Sequence, residues 1–205
     1  MVDAEAGRVL EALDDAGRAD DTLVVFAADH GDGHGAHRWS QKHAFYDEVA
    51  RVPLLARAPG GGAGGADEST LISVGLDLLP TFCDLAGADV PAACRGRSLR
   101  PVLEGTGGNG QEQVVCETRF GQRDGRHGVG GRMLRTGRHK YIRWSVGPEA
   151  DELLDLQEDP LETRNLAADP AAADVLAEHR RRLDAWQKAF DDPFPNVPPQ
   201  PKYDD

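Results

Sequence analysis

At 205 residues with 40% hydrophobic content, the chain is long enough for one large domain, or a domain and a half, around a real core. A formal net charge of −12 excludes non-specific nucleic-acid binding, which needs a basic surface. Cys83, Cys94 and Cys116 are too few and too scattered for a disulfide framework or a zinc site and read as small buried apolar residues; no apolar run approaches a membrane span, and "MVDAEAGRVL" lacks the basic start and apolar core of a signal peptide, so a cytoplasmic location is the default expectation.

Along the chain, "VDAEAGRVLEALDDAG" carries Val2, Val9, Leu10 and Leu13 at amphipathic helical spacing, with Gly17 as a stop. "DDTLVVFAAD" follows as a short β-branched and aromatic run ending in a charge, the form of a parallel strand buried on both faces. After a loop crowded with histidines, "VPLLARAPG" reads as a second strand, closed by Pro59 and a glycine-rich surface loop to Gly65. "STLISVGLDLLPTFCDLAGADVP" resumes helical spacing through Leu76, Leu79 and Leu85, with Gly87 as the stop and Pro80 at a helix start or kink. This order reads as α/β with a parallel sheet. From about residue 106 the character changes to a smaller α+β region: "EQVVCETRF", "GRMLRTGRHKYIRWSV" and "ELLDLQ" read as strands with short polar turns. "DPAAADVLAEHRRRLDAWQKAF" is an amphipathic helix with Val175, Leu176, Leu183 and Trp186 on one side, and the remainder is an extended proline-rich tail. The expected domains are therefore 1–105, 106–190 and a tail over 191–205.

The stretch "VVFAADHGDGHGAHRWSQKHAFYDE" places His30, His34, His37 and His43 between Asp29 and Glu48, just past the first strand. In open α/β sheets ligands gather at the carboxyl ends of strands. A carboxylate beside an imidazole, Asp29 and His30, suits a divalent cation such as Ca²⁺, Mg²⁺ or Mn²⁺, and Lys42 offers a point charge for an anion. The competing reading is that Asp29 caps a helix and the histidines are solvated.

The gap-free segment "TLVVFAADHGDGHGAHRWSQKHAFYDEVARVPLLARAPG" resembles the sulfatase pattern T-x-V-x-F-T-S-D-H-G-E followed by G-x-H, K-H, Y-E-E, R-V-P-L and R-x-P-G. "VGLDLLPTFCDLAGADVP", "GRSLRPVLEG", "LRTGRHKYI" and "ELLDLQEDPLETRNLA" are similar to later sulfatase motifs in the same order, so the resemblance runs to about Ala168. It implies a partial alkaline-phosphatase-like parallel sheet followed by a small α+β domain with antiparallel strands and a helix. It implies metal-dependent hydrolysis of sulfate monoesters in the complete enzyme. By the same resemblance Asp29 and His30 match metal ligands for Ca²⁺ or Mg²⁺, Lys42 matches the lysine on the sulfate, and His43 faces the leaving group. His37 falls on a histidine of the pattern, as a substrate contact or as loop packing; His34 has no counterpart and is expected to be solvated.

One departure is large. The family's nucleophile is a formylglycine made from C/S-x-P-S-R, and this sequence has no such motif; Cys94 sits in "CRGRS" without the proline. The expectation is a C-terminal part of a sulfatase, inactive alone, which is completed by a separate N-terminal chain or self-associates through an exposed sheet edge. The alternatives are a non-catalytic metal- or anion-binding remnant and a phosphonate or phosphate monoester hydrolase of the same superfamily.

Overall fold

The computed structural model describes residues 1–61, 64–65, 70–107, 110–120, 129–147 and 150–195. In chain order it contains α1 (Val2–Asp15), β1 (Val24–Ala27), α2 (Asp47–Ala50), β2 (Leu54–Arg57), α3 (Val74–Ala86), α4 (Arg100–Leu103), β3 (Val114–Phe120), β4 (Val129–Arg135), β5 (His139–Trp144), β6 (Asp151–Asp155) and α5 (Ala173–Ala189). These fall into two compact units, one of Met1–Asp29 with Val52–Gln111, the other of His30–Arg51 with Glu112–Asp205. No helix among the described residues is long and apolar enough to cross a membrane. The three cysteines are free thiols, half-buried rather than buried.

The first unit holds β1 and β2, α1, α3 and α4. β1 and β2 pair antiparallel, with Val24 opposite Arg57 and Ala27 opposite Leu54. The parallel pairing expected of these two strands is therefore corrected. A parallel neighbour needs a crossover that returns the chain to the strand's starting end, whereas here the chain re-enters at the end it left. α1 forms as its spacing predicts, with Gly17 left-handed beyond it at φ +65°, yet none of its residues is buried and Val2 and Val9 are 69% and 68% exposed. Phe26, Leu55, Leu76, Leu79 and Phe82 are exposed as well.

Pro80 lies inside α3, not at its start; the helix begins six residues earlier at Val74. Proline cannot donate to the Leu76 carbonyl one turn back. The chain at Gly96 passes that carbonyl so closely that a Cβ there would stand 1.8 Å from the Leu76 oxygen. The buried carboxylate of Asp77 organises this region, accepting from the amides of Ser73 (2.8 Å) and Arg97 (2.9 Å) and from Gln111 Nε2 (3.1 Å).

The second unit is a four-stranded antiparallel meander, β3-β4-β5-β6, as the α+β reading expected. The segment read as one strand, "GRMLRTGRHKYIRWSV", makes both β4 and β5 around a turn at 136–138. Alternation sends Leu134, Tyr141 and Leu153 to one face, against Leu176 and Leu183 of α5. Met133, Ile142 and Leu154 go to the other, where Phe45, Tyr46 and Ala50 cover them. The first residues assigned to an extended tail are instead docked. Asp192 takes both a 2.7 Å and a 2.9 Å bond from the buried Arg132 guanidinium, and Phe194 is buried with its ring 4.8 Å from that guanidinium carbon. Residues 196–205 of that tail lie outside the described residues.

His179 of α5 is also buried, with Nδ1 2.8 Å from the Val175 carbonyl and Nε2 3.2 Å from Thr136 Oγ1; its ring meets that of His139 edge-on at 5.5 Å. Burial first pushes both imidazoles below their ordinary value, helped by the neighbouring His179 ring and then Arg138 at His139 and by Arg182 at His179. A base with a depressed folded pKa binds fewer protons folded than unfolded, so stability falls as pH drops below about 6.5. Asp155, held down to about 2 by Arg138, adds a further loss at more acidic pH, as protonation removes its advantage. Urea midpoints should decline between pH 7 and 5, and His179→Gln should flatten that decline; a midpoint indifferent to pH would contradict the assignment.

Candidate anion and metal site

The loop after β1 is closed by its own backbone. Gly31 donates to Val49 O (2.8 Å), Gly33 to Gln41 O (3.1 Å) and Gly35 to Trp39 O (2.8 Å). The first two contacts demand glycine: a Cβ on Gly31 would stand 1.9 Å from Glu48 O, and one on Gly33 2.7 Å from Trp39 O. Between them Asp32 Oδ1 accepts from the amides of His34 (2.9 Å) and Gln41 (3.2 Å), and the His34 amide in particular holds the carboxyl below the usual carboxylate range. Trp39 Nε1 donates to Lys42 O at 2.9 Å. Five non-glycine residues here have left-handed backbones: His34, His37, Arg38, Gln41 and His43, at φ +44° to +77°. Such residues are uncommon and cluster where a loop is held in a functional shape.

The predicted site residues take these places. Asp29 is exposed, two residues beyond β1, and closes the first unit; His30, exposed, opens the second. His30 Nδ1 lies 2.7 Å from the Gly31 carbonyl. A carbonyl only accepts, so Nδ1–H donates in this contact, and a ring held this way can ligate a metal only through Nε2. Taken each in its own unit, the exposed Asp29 carboxylate and the oriented His30 imidazole are ligand types that suit a divalent cation. Lys42 is exposed. His43 is half-buried, its Nδ1 3.5 Å from Thr118 Oγ1. His37 stacks on Tyr46, ring centres 3.7 Å apart and planes 9° apart, with Nε2 3.7 Å from Glu48 Oε2. His34 is solvated, as expected.

The sequence reading missed the groups beneath the loop. Lys140 of β5 is 1% exposed and donates to Phe45 O (2.8 Å) and Asp47 Oδ1 (2.6 Å), and it also contacts Glu162 Oε1. Glu162, equally buried at its side chain, accepts the Asp47 amide on Oε2 at 2.5 Å. Burial raises the Glu162 carboxyl, with Lys140 opposing the shift. Tyr46 Oη donates to Glu152 (3.3 Å), which also takes Trp144 Nε1 (2.6 Å). His37, Glu48 and Glu162 bring ligand atoms within 4.8 Å of one another, but the Lys140 ammonium already supplies the cation at Glu162. The available signal was the motif fragments "GRHKYI" and "EDPLE", which name Lys140 and Glu162 without saying that they are buried.

Residues 35–189 match the family model described as N-sulphoglucosamine sulphohydrolase, C-terminal. Over 188 residues, 91% of the chain, the sequence is 40% identical to a Delta 4,5-hexuronate-2-O-sulfatase of Bacteroides thetaiotaomicron, of which it covers 39%. A solved 2-O GAG sulfatase superposes with TM-score 0.86 at 37% identity, covering 98% of this chain and 43% of that one. The phosphonate monoester hydrolase of Agrobacterium radiobacter superposes with TM-score 0.79 at 31% identity, covering 92% and 39%. The chain thus spans about two fifths of the length of such relatives. Sulfatases in general use a metal ion and a formylglycine nucleophile. With its motifs in order, its loop built around them and more than half its length matched by the family model, the chain belongs to the sulfatase family, as a C-terminal part of that alkaline-phosphatase-like fold.

Proposed function

We propose that this chain supplies the second half of a sulfate-monoester hydrolase site, carried by the loop Asp29–Glu48. Lys42 sets a fixed positive charge against the sulfuryl oxygens, where charge spreads as the ester bond breaks. His43 donates a proton to the departing oxygen. Asp29 and His30 provide two ligands of a Ca²⁺ or Mg²⁺ ion, which when bound would stabilise charge on the sulfuryl group and activate the nucleophile. The formylglycine and the remaining ligands come from a polypeptide outside this sequence, an upstream segment or separate chain. The exposed apolar surface of α1, β1, β2 and α3 in the first unit is consistent with such a partner, since a two-stranded sheet is marginal alone. The observation that carries the reading is the left-handed, glycine-closed loop that presents Lys42 to solvent.

The test is a titration of the ¹⁵N-labelled chain with sodium sulfate in the presence of Mg²⁺ or Ca²⁺. Saturable amide shifts should be confined to residues 29–48 and should vanish in Lys42→Ala. Shifts spread over the surface, or unchanged by Lys42→Ala, would overturn the assignment. The likeness to a phosphonate monoester hydrolase favours a second reading, phosphonate monoesters as substrates. A loop that takes methylphosphonate more tightly than sulfate would favour it.

A further inference from the structure

Within the second unit the loop has a floor. Phe45 lies against Trp144, ring centres 5.2 Å apart, and fills the space above Gly131, where a Cβ would come within 2.7 Å of its ring. Its carbonyl is held by Lys140, the Asp47 carboxylate by the same ammonium, and the Asp47 amide by Glu162. Two residues on, Val49 O receives the Gly31 amide, which ties the start of the loop to the same base. Every one of these anchors lies between 45 and 49, just after Lys42 and His43.

We infer that Lys140 and Glu162 are positioning residues for the anion-binding loop, acting through the 45–49 backbone to hold Lys42 and His43 at fixed places. The inference rests on the reading of Lys42 as a sulfate contact. A lysine on an exposed loop must be ordered when it binds, and that ordering weakens affinity unless it is done beforehand. The buried ion pair does it beforehand from the sheet. Stability alone gives no reason for the pair, because well-packed apolar residues commonly replace buried ion pairs at little or no loss.

This last point supplies the test. Lys140→Met with Glu162→Met, made together in the whole chain, removes the charges and both backbone anchors while keeping apolar volume. Three quantities are measured: the melting temperature, amide hydrogen exchange, and the Kd for inorganic sulfate in Mg²⁺. The expected result is a melting temperature above that of Lys140→Met alone, exchange at least tenfold faster at Gly33, Gly35 and Trp39, unchanged exchange at Met133 and Ile142, and a sulfate Kd raised at least tenfold. The three amides donate within the loop, to the Gln41, Trp39 and Ala36 carbonyls, so a role confined to the pair's own surroundings would leave them untouched. A folded variant with unchanged loop exchange overturns the inference. Should the paired replacement fail to fold, Glu162→Gln decides, since it keeps the volume while weakening the hold on the Asp47 amide and on Lys140: faster loop exchange supports the inference and unchanged exchange overturns it. Lys42→Ala in the wild-type background separates the two readings. If it leaves the sulfate Kd unchanged, the sulfate assignment fails, while the exchange result still decides the positioning role.

Discussion

Lys140→Met alone should destabilise the chain by about 3–5 kcal/mol at neutral pH, the usual cost of stripping one partner from a buried ion pair. The methionine fills the space of the lysine stem, so lost packing contributes little. What remains is Glu162, 1% exposed at its side chain, beside Asp47, with no ammonium between two carboxylates. Burial already raises the Glu162 carboxyl, and Lys140 is the main group holding it down. Without Lys140 its folded pKa climbs further above the unfolded value. A carboxyl raised in this way is fully tolerated below its unfolded pKa and loses stability as pH rises through its folded pKa. The deficit of Lys140→Met should therefore be largest at neutral pH and shrink towards pH 5. Paired urea titrations of wild type and variant across that range check this. A deficit below about 1 kcal/mol that ignores pH would show that the pair is not desolvated in solution.

How far the sequence reveals this arrangement depends on the kind of interaction. Helical spacing places α3 and α5, and Gly87 stops α3, because periodicity and capping are local. Alternation of side chains likewise finds the strands of the second unit, whose Leu134, Tyr141 and Leu153 face α5. The direction of β2 relative to β1 is not local: a four-residue strand reads alike in either sense, and only the path of the connecting loop decides. Pro80 reads as a helix start or kink because its cost is assessed without knowing that Gly96 leaves room beside the Leu76 carbonyl. In the loop, Asp29, His30, Lys42 and the histidines stand out by type and spacing. The left-handed backbones of His37, Arg38, Gln41 and His43 carry no residue signature, as glycine and asparagine would. Lys140 and Glu162 were hidden for a different reason. Lysine and glutamate are almost never fully buried unless paired, and their pairing spans residues far apart in the sequence.

The largest effects are expected at Lys42 and Asp29 in a completed enzyme. The upstream portion of the 40% identical sulfatase, carrying the cysteine matured to formylglycine, can be fused to this chain in place of the relative's own C-terminal part. Removing one preorganised group that meets developing charge typically lowers turnover by about 10²–10³-fold. Removing a metal ligand adds weakened metal binding to the loss. The decisive measurement is the rate of 4-nitrophenyl sulfate hydrolysis by the fused protein in Mg²⁺ or Ca²⁺, alongside its Lys42→Ala and Asp29→Ala variants and the chain on its own. The expected result is metal-dependent turnover by the fusion, a fall of at least about 10²-fold in each variant with the fold intact, and no Asp29-dependent turnover by the chain alone. A folded fusion whose turnover is indifferent to both substitutions, or robust Asp29-dependent turnover by the unfused chain, would contradict the assignment of this loop as half of a sulfatase site.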